Sequence, residues 1–220
     1  TGANVRTVFS PDKAAVSDLA LDMGISLPLL EQWPNTQAVN GQGALAGHVI
    51  ELPIRDDKGL LRFAPALVPR SADTRNEYLP VTRANILRQS FKFQGERYGW
   101  GHDYGTRDCS GFVSEVYRSM GILLPRNTGD QAKSPAFDLE PYDATISHAQ
   151  RLKRAKQFRI GDLIYIPGHV MMVVGQDAYG PWVIHDSHGT GFLQNGGFHS
   201  VPTNGVAVTP LLSMAISADK

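Results

Sequence analysis

The sequence predicts an α+β fold in which helices come first and pack on an antiparallel sheet built by later strands. Three observations predict it. Apolar residues follow helical spacing on both sides of position 100; four short apolar runs after position 160 are separated by turn residues; and the first 80 or so residues read differently from the rest, with Gly and Pro punctuating short apolar runs. The chain is therefore expected to divide into residues 1–75, a small β-barrel with a helical insertion, and residues 76–220, a larger α+β domain.

Taken in order, Ser10-Pro11-Asp12 reads as an N-cap with proline in the first turn, and Ala15, Val16, Leu19 and Met23 form one apolar helical face closed by Gly24. A second short helix is expected from Ser26 to Trp33. Strands are expected over Ala46 to Leu52 and Leu60 to Val68, on either side of the turn Asp56-Asp57-Lys58-Gly59. Pro69 to Thr74 reads as a connector. Pro80-Val81-Thr82 then opens a helix with Ile86, Leu87, Ser90 and Phe91 along one side. A polar region from Arg126 to Gln157 should hold another helix around Ile146 to Lys156. The later strands are expected at Leu163 to Ile166, Val170 to Val174, Trp182 to His185 and Val206 to Thr209.

Composition excludes several classes. Hydrophobic residues make up 42% of the chain and charged residues 19%, so a packed core is expected rather than disorder. The 21 basic residues balance 21 acidic ones, leaving no global field to attract nucleic acid or anionic lipid, and the run from Arg151 to Lys156 reads as a solvated helix face. No run of 18 apolar residues is present and Thr1-Gly2-Ala3-Asn4 is not a signal peptide, so the chain as it stands is expected neither to span nor to target a membrane.

The chain's one cysteine lies in Arg107-Asp108-Cys109-Ser110-Gly111-Phe112. From Ser110 onward, Phe112, Val113, Val116, Tyr117 and Met120 mark one buried helical face. Asp108 or Ser110 can cap its start, Gly121 stops it and Pro125 prevents continuation. Cys109 thus falls in the first turn, where unpaired N–H groups and the helix dipole favour thiolate over thiol, and a reactive nucleophile is expected. The competing reading is a small buried hydrophobe.

A cysteine hydrolase needs a base near sulfur and a third group to orient that base. His169 stands after a turn at the start of the apolar strand Val170 to Val174. His185 ends Trp182-Val183-Ile184-His185, with Asp186 and then His188 beyond it. His185 also reads as a satisfied core histidine. Zinc held by His185 and His188 would need further ligands, and with one cysteine no paired Cys spacing supplies them, so no metal is expected.

Six pieces in order resemble the NlpC/P60 cell-wall cysteine peptidases, a papain-like superfamily. They are Tyr98-Gly99-Trp100-Gly101, Asp108 to Phe112, Leu124-Pro125-Arg126-Asn127-Thr128-Gly129-Asp130-Gln131, Arg159-Ile160-Gly161-Asp162-Leu163, Gly168-His169-Val170 and Val183-Ile184-His185. The resemblance implies Cys109 as nucleophile, His169 as base and His185 as its orienting partner, with no cofactor. It implies that Tyr98 helps form an oxyanion site, and that Asp108, Ser110, Asn127 and Thr128 line the substrate cleft. Tyr98 and Trp100 alternatively serve aromatic packing, and Asp108 and Ser110 alternatively serve only as caps. His102 stands where the family pattern has a second glycine.

Leu52-Pro53-Ile54-Arg55, Phe63 to Pro69 and Thr82 to Gln89 resemble the branch in which an SH3-like module precedes a γ-D-glutamyl-L-diamino acid endopeptidase domain. That likeness implies hydrolysis of the D-γ-glutamyl to diamino acid bond, with meso-diaminopimelate as the diamino acid, in peptidoglycan stem peptides or muropeptides. The N-terminal module would favour stems with a free L-alanine amine, which Asp108 or a nearby carboxylate could pair. A monomer in the cell envelope or periplasm, its leader removed, is expected, with cytoplasmic recycling as the other location. The rival expectations are an N-acetylmuramoyl-L-alanine amidase or acyltransferase with the same triad, and a catalytically inactive wall-binding module.

Overall fold

The structure is a computed structural model that describes residues 3–135, 137–143 and 145–215. It divides into two compact units, Thr1–Tyr78 and Leu79–Lys220.

In the first unit, β1 (Val5–Arg6) pairs antiparallel with β2 (Ala20–Leu21), and β3 (Gly47–Arg55) pairs with β4 (Leu61–Pro69) in a long hairpin. Its turn is set by Asp56, whose carboxylate accepts from the Lys58 and Leu60 N–H groups, and by Gly59 at φ +76°. Period-two alternation lets the hairpin bury both faces. Ile50, Leu52, Ala64, Ala66 and Val68 pack with Val16, while Val49 and Leu67 pack with Val39 and Ala44.

The two helices expected here do not form. Residues 10–24 contain only a single 3-10 turn, Ala14–Val16, before β2. Short polar side chains have captured the backbone: Ser17 Oγ accepts from the Ser10 N–H, Thr7 Oγ1 donates to the Val16 carbonyl, and Asp18 adopts φ 52° while pairing with Arg6. Residues 26–33 instead run alongside β3, with Leu30 N–H donating to the Val49 carbonyl and Glu51 N–H to that of Pro28. The strands expected at 46–52 and 60–68 are present, but among the described residues their sheets remain two-stranded and close no barrel.

The second unit has the expected α+β arrangement. Thr82 caps α1 (Arg83–Ser90) by accepting from the Asn85 N–H. Next come α2 (Cys109–Arg118), the short α3 (Thr128–Gln131) and α4 (His148–Ala155), the last opened by a capping box between Ser147 and Gln150. Then β5 (Leu163–Ile166), β6 (His169–Asp177) and β7 (Gly180–Ser187) form consecutive antiparallel neighbours, with β10 (Gly205–Pro210) on the far side of β7. One face of this sheet buries Met171, Val173 and Val183 against Phe158, Ile164, Leu211 and Met214. Helix α2 packs against β6 and β7, and its Phe112, Val113 and Val116 are fully buried. Each such side chain contributes about 1.5–3 kcal/mol, so the start of α2 is firmly placed over the sheet.

Between β7 and β10 lies a hairpin that the sequence reading missed, β8 (Thr190–Gln194) and β9 (Gly197–Val201). Its signal is Asn195-Gly196, both at positive φ (52° and 75°), as a tight two-residue hairpin turn requires. No helix among the described residues is long and apolar enough to cross a membrane.

Candidate active site

Cys109 is the first residue of α2 and is buried. The helix begins here because Asp108, in extended conformation, caps it by accepting from the Gly111 N–H at 2.9 Å. The Cys109 thiol lies 4.0 Å from the Gly168 carbonyl and accepts from the Val170 and Ser110 N–H groups. Sulfur is thus held against the backbone on either side of His169, at the start of β6.

The His169 ring reaches the next strand, where its Nε2 lies 2.9 Å from His185 Nδ1. His185 Nε2 is 3.0 Å from Thr209 Oγ1 on β10, and the Thr209 hydroxyl donates to Met214 Sδ at 3.2 Å. This chain of contacts sets the tautomers. With its proton turned to Met214, Thr209 accepts from His185 Nε2–H, so His185 Nδ1 accepts from His169 Nε2–H. In that arrangement His169 Nδ1 is the ring nitrogen left without a proton.

Both imidazoles are neutral. Burial takes His169 down to about 4; burial and the neighbouring His169 ring take His185 down to about 4. The expected thiolate is not favoured here. Burial pushes the Cys109 thiol up, the Val170 and Ser110 N–H groups only partly offset it, and the Asp108 and Asp186 carboxyls add to the rise. Desolvation thus works against the helix terminus at this thiol.

The opposite flank of Cys109 is charged. Arg126 donates to both Asp108 oxygens, at 3.1 and 2.6 Å, and to Ser110 Oγ at 2.8 Å. Ser110 in turn donates to Asp108, which also accepts from the Gly101 N–H. Burial opposes ionisation of Asp108, but Arg126, the Gly111 N–H and the Ser110 hydroxyl outweigh it and hold the carboxyl below the usual range. Asp108 is therefore cap and ion-pair partner at once, its charge balanced by Arg126. Arg126 was overlooked as a site residue although it stands within the quoted motif Leu124 to Gln131. Asn127 and Thr128 follow it at the start of α3, where the Asn127 side chain makes no capping bond. Buried Gln131 ties this segment to α2 through the Ser110 carbonyl and Ser114 Oγ.

Tyr98 lies beside the same helix start. Burial, then the Cys109, Asp108 and Asp186 charges, raise its hydroxyl above the ordinary value, keeping it a donor. Its ring stacks on His188 with centroids 6.4 Å apart, and His188 Nδ1 is hydrogen-bonded to Asn204 Oδ1. Trp100 is largely exposed. His102, at φ 71°, lays its ring over the first turn of α2: a Cβ on Gly111 would fall 2.3 Å from His102 Nε2. A side chain at Gly111 would have to push the His102 ring aside. No group of three or more His, Cys, Asp or Glu among the described residues is arranged to hold a metal ion.

Beneath the site Arg107 is fully buried. It forms a two-pronged pair with Glu115 of α2, at 3.0 and 2.9 Å, and a third contact to Glu96 at 3.1 Å.

A cysteine at a helix start, a histidine at a strand start beside it and a second histidine bonded to the first are the groups that a cysteine-nucleophile hydrolase needs. Comparison with known proteins narrows the class: residues 95–201 match the model of the NlpC/P60 family, so the second unit carries an NlpC/P60 family domain. The chain is similar to a γ-D-glutamyl-L-lysine dipeptidyl-peptidase of Bacillus subtilis, 39% identical over 54 residues, which is 24% of this chain and 18% of that protein. It is also similar to dipeptidyl-peptidase 6 of Lysinibacillus sphaericus, 28% identical over 98 residues, 44% of this chain and 31% of that protein. These matches span a third or less of the curated relatives' own length. In fold it resembles an NlpC/P60 endopeptidase from Photobacterium damselae, with a TM-score of 0.60 and 19% identity over 94% of this chain and 45% of that one.

Proposed function

We propose that the chain is a peptidoglycan hydrolase that cleaves the bond between D-γ-glutamate and a diamino acid, meso-diaminopimelate, in stem peptides and muropeptides. The observation that carries the reading is the hydrogen-bonded line from Thr209 through His185 to His169, ending beside Cys109 within an NlpC/P60 domain. The similarity to a γ-D-glutamyl-L-lysine dipeptidyl-peptidase supports the choice of bond.

In this mechanism His169 Nδ1 takes the Cys109 proton as sulfur attacks the γ-carbonyl, because neither group is charged beforehand. The oxyanion is stabilised by the Cys109 backbone N–H and the Tyr98 hydroxyl. The imidazolium then protonates the leaving amine, and His169 activates the water that hydrolyses the thioester.

The test is mass spectrometry of products from a tripeptide stem, a tetrapeptide stem and intact sacculi, using the wild type and Cys109→Ala. Release of L-alanyl-D-glutamate by the wild type alone is expected. Release of an intact stem from muramic acid would make the enzyme an amidase, and binding to sacculi without turnover would make it a wall-binding module.

Two finer proposals go with this reading. Residues 1–75 restrict the substrate to stems with a free L-alanine amine; equal cleavage of free and glycan-linked stems by the full chain would reject that role. The enzyme works in the cell envelope, and recovery from the cytosol on fractionation would point to recycling instead.

A further inference from the structure

One ionisable group in the second unit has no part in this mechanism. Asp186 follows His185 on β7 and, by strand alternation, points to the opposite face, shared with fully buried Ile184. Its side chain is fully buried, and neither carboxyl oxygen has a hydrogen-bond partner among the described residues. Two bare carboxyl oxygens in a protein interior demand an explanation.

The surroundings supply no cation hydrogen-bonded to it among the described residues. The charged and titratable groups that act on it are Glu96 and Tyr98 from the segment before α2, Arg107 and Asp108 leading into α2, and Cys109 at its start. From β10 its register partner is Val206, which carries no charge. Arg107 is the nearby buried cation, and its guanidinium is shared between Glu115 and Glu96; the charge on Asp108 is matched by Arg126. An Asp186 anion would be a third carboxylate beside one guanidinium, and neither of its oxygens accepts a hydrogen bond among the described residues. Burial, followed by Glu96 and Asp108, lifts its carboxyl to about 8, with Arg107 opposing.

We infer that Asp186 is a positioning residue that stays an uncharged acid in the working enzyme, leaving the Cys109 thiolate as the one new negative charge at the site, and that releasing its proton to solvent disarms the thiol. The Asp186 charge acts on the Cys109 thiol and raises it, so ionising Asp186 holds back the thiolate. The inference rests on Cys109 as the nucleophile of the proposed hydrolase, and its test does not depend on the substrate.

Because Cys109 is the one cysteine of the chain, iodoacetamide alkylation reports on it alone. The rate is measured from pH 6 to 10 in the full-length wild type and in Asp186→Asn, a neutral mimic of the protonated acid. Matching rates at pH 6.5 are expected, with the variant faster by about threefold or more at pH 9, where the wild type carries the second charge. Superimposable profiles would overturn the inference. In parallel, ¹³C NMR of wild type labelled at the aspartate carboxyls should show one carboxyl still protonated at pH 7. Every aspartate ionised by pH 6 would overturn it as well, whether or not the variant folds. If stem peptides are not cleaved while both readouts hold, the bond assignment fails and the coupling of Asp186 to Cys109 stands.

Discussion

The two flanks of Cys109 are built from opposite materials. On the sheet side, His169, His185, Thr209 and Met214 form a hydrogen-bonded line with no net charge, buried at His185 and Thr209 and part-buried at His169 and Met214. On the helix side, Asp108 with Arg126 and Arg107 with Glu115 and Glu96 are charged pairs that fix the backbone. Proton transfer requires a group able to hold either state, and under the proposed mechanism it falls to the neutral line. Keeping a loop and a helix start in register requires fixed charges, so it falls to the ion pairs. Damage to the first flank should therefore appear in turnover with the fold intact, and damage to the second should appear in stability first.

The largest effect expected is on the neutral flank. Cys109→Ala and His169→Ala should each lower kcat/KM on a stem peptide by roughly 10⁴-fold or more, as in other nucleophile–base pairs, while the thermal melt stays close to that of the wild type. Substantial turnover by either variant would remove it from the triad. The charged flank should invert the pattern. Arg107→Ala strands Glu115 without its buried partner and should cost about 3–5 kcal/mol in a denaturant titration. Arg126→Ala breaks a half-exposed pair, screened by solvent, and should cost about 1 kcal/mol or less. Equal losses from the two would mean that the depth of the pair is not what separates them.

Acid should strike the neutral flank first. His169 and His185 titrate at about 4 in the fold and near 6.5 when unfolded. The unfolded chain therefore binds more protons between those values, and the stability these rings contribute is complete above about pH 6.5 and lost as pH falls through about 4. The base is likewise unprotonated down to that range. The acid limb of kcat/KM should accordingly fall near pH 4 to 5; a limb centred at 6.5 would show that His169 is solvated in the working enzyme.

The two units differ in how much the sequence reveals of them. In the second, α2 and the four-stranded sheet are legible because Phe112, Val113 and Val116 on one hand and Val170 to Val174 on the other repeat a single period for several turns or residues, and caps mark the ends. In the first unit the same apolar spacing from Ala15 to Met23 misleads, because Ser17 and Asp18 hydrogen-bond the backbone out of helix and Val16 joins a β core. The hairpin at Asn195-Gly196 was legible and overlooked. The protonation state of Cys109 was not legible, since a helix start favours thiolate and only the packed structure reveals how far burial works against it. The same holds for Asp186, whose sequence position between two histidines says nothing of its buried, unpartnered carboxyl.

The smallest and most discriminating test lies at the far end of the neutral flank. Thr209→Val keeps the shape of the side chain but removes the acceptor for His185 Nε2–H. A buried donor without a partner costs about 1–3 kcal/mol, and His185 can relieve that cost by moving its proton to Nδ1. There the proton would point at the Nε2–H of His169, which must shift its own proton to Nδ1, the nitrogen that takes the thiol proton in the proposed mechanism, and so cease to be a base. A fraction of the molecules then carries the wrong tautomer, and kcat should fall about five- to tenfold, the equivalent of 1–1.4 kcal/mol, with KM unchanged. Thr209→Ser, which restores a hydroxyl, should recover most of it. His188→Ala should be near neutral, because His188 bonds to Asn204 and stacks on Tyr98 without joining the relay. Full activity in Thr209→Val would show that His185 holds its tautomer without help from β10, and would shorten the neutral line to two histidines.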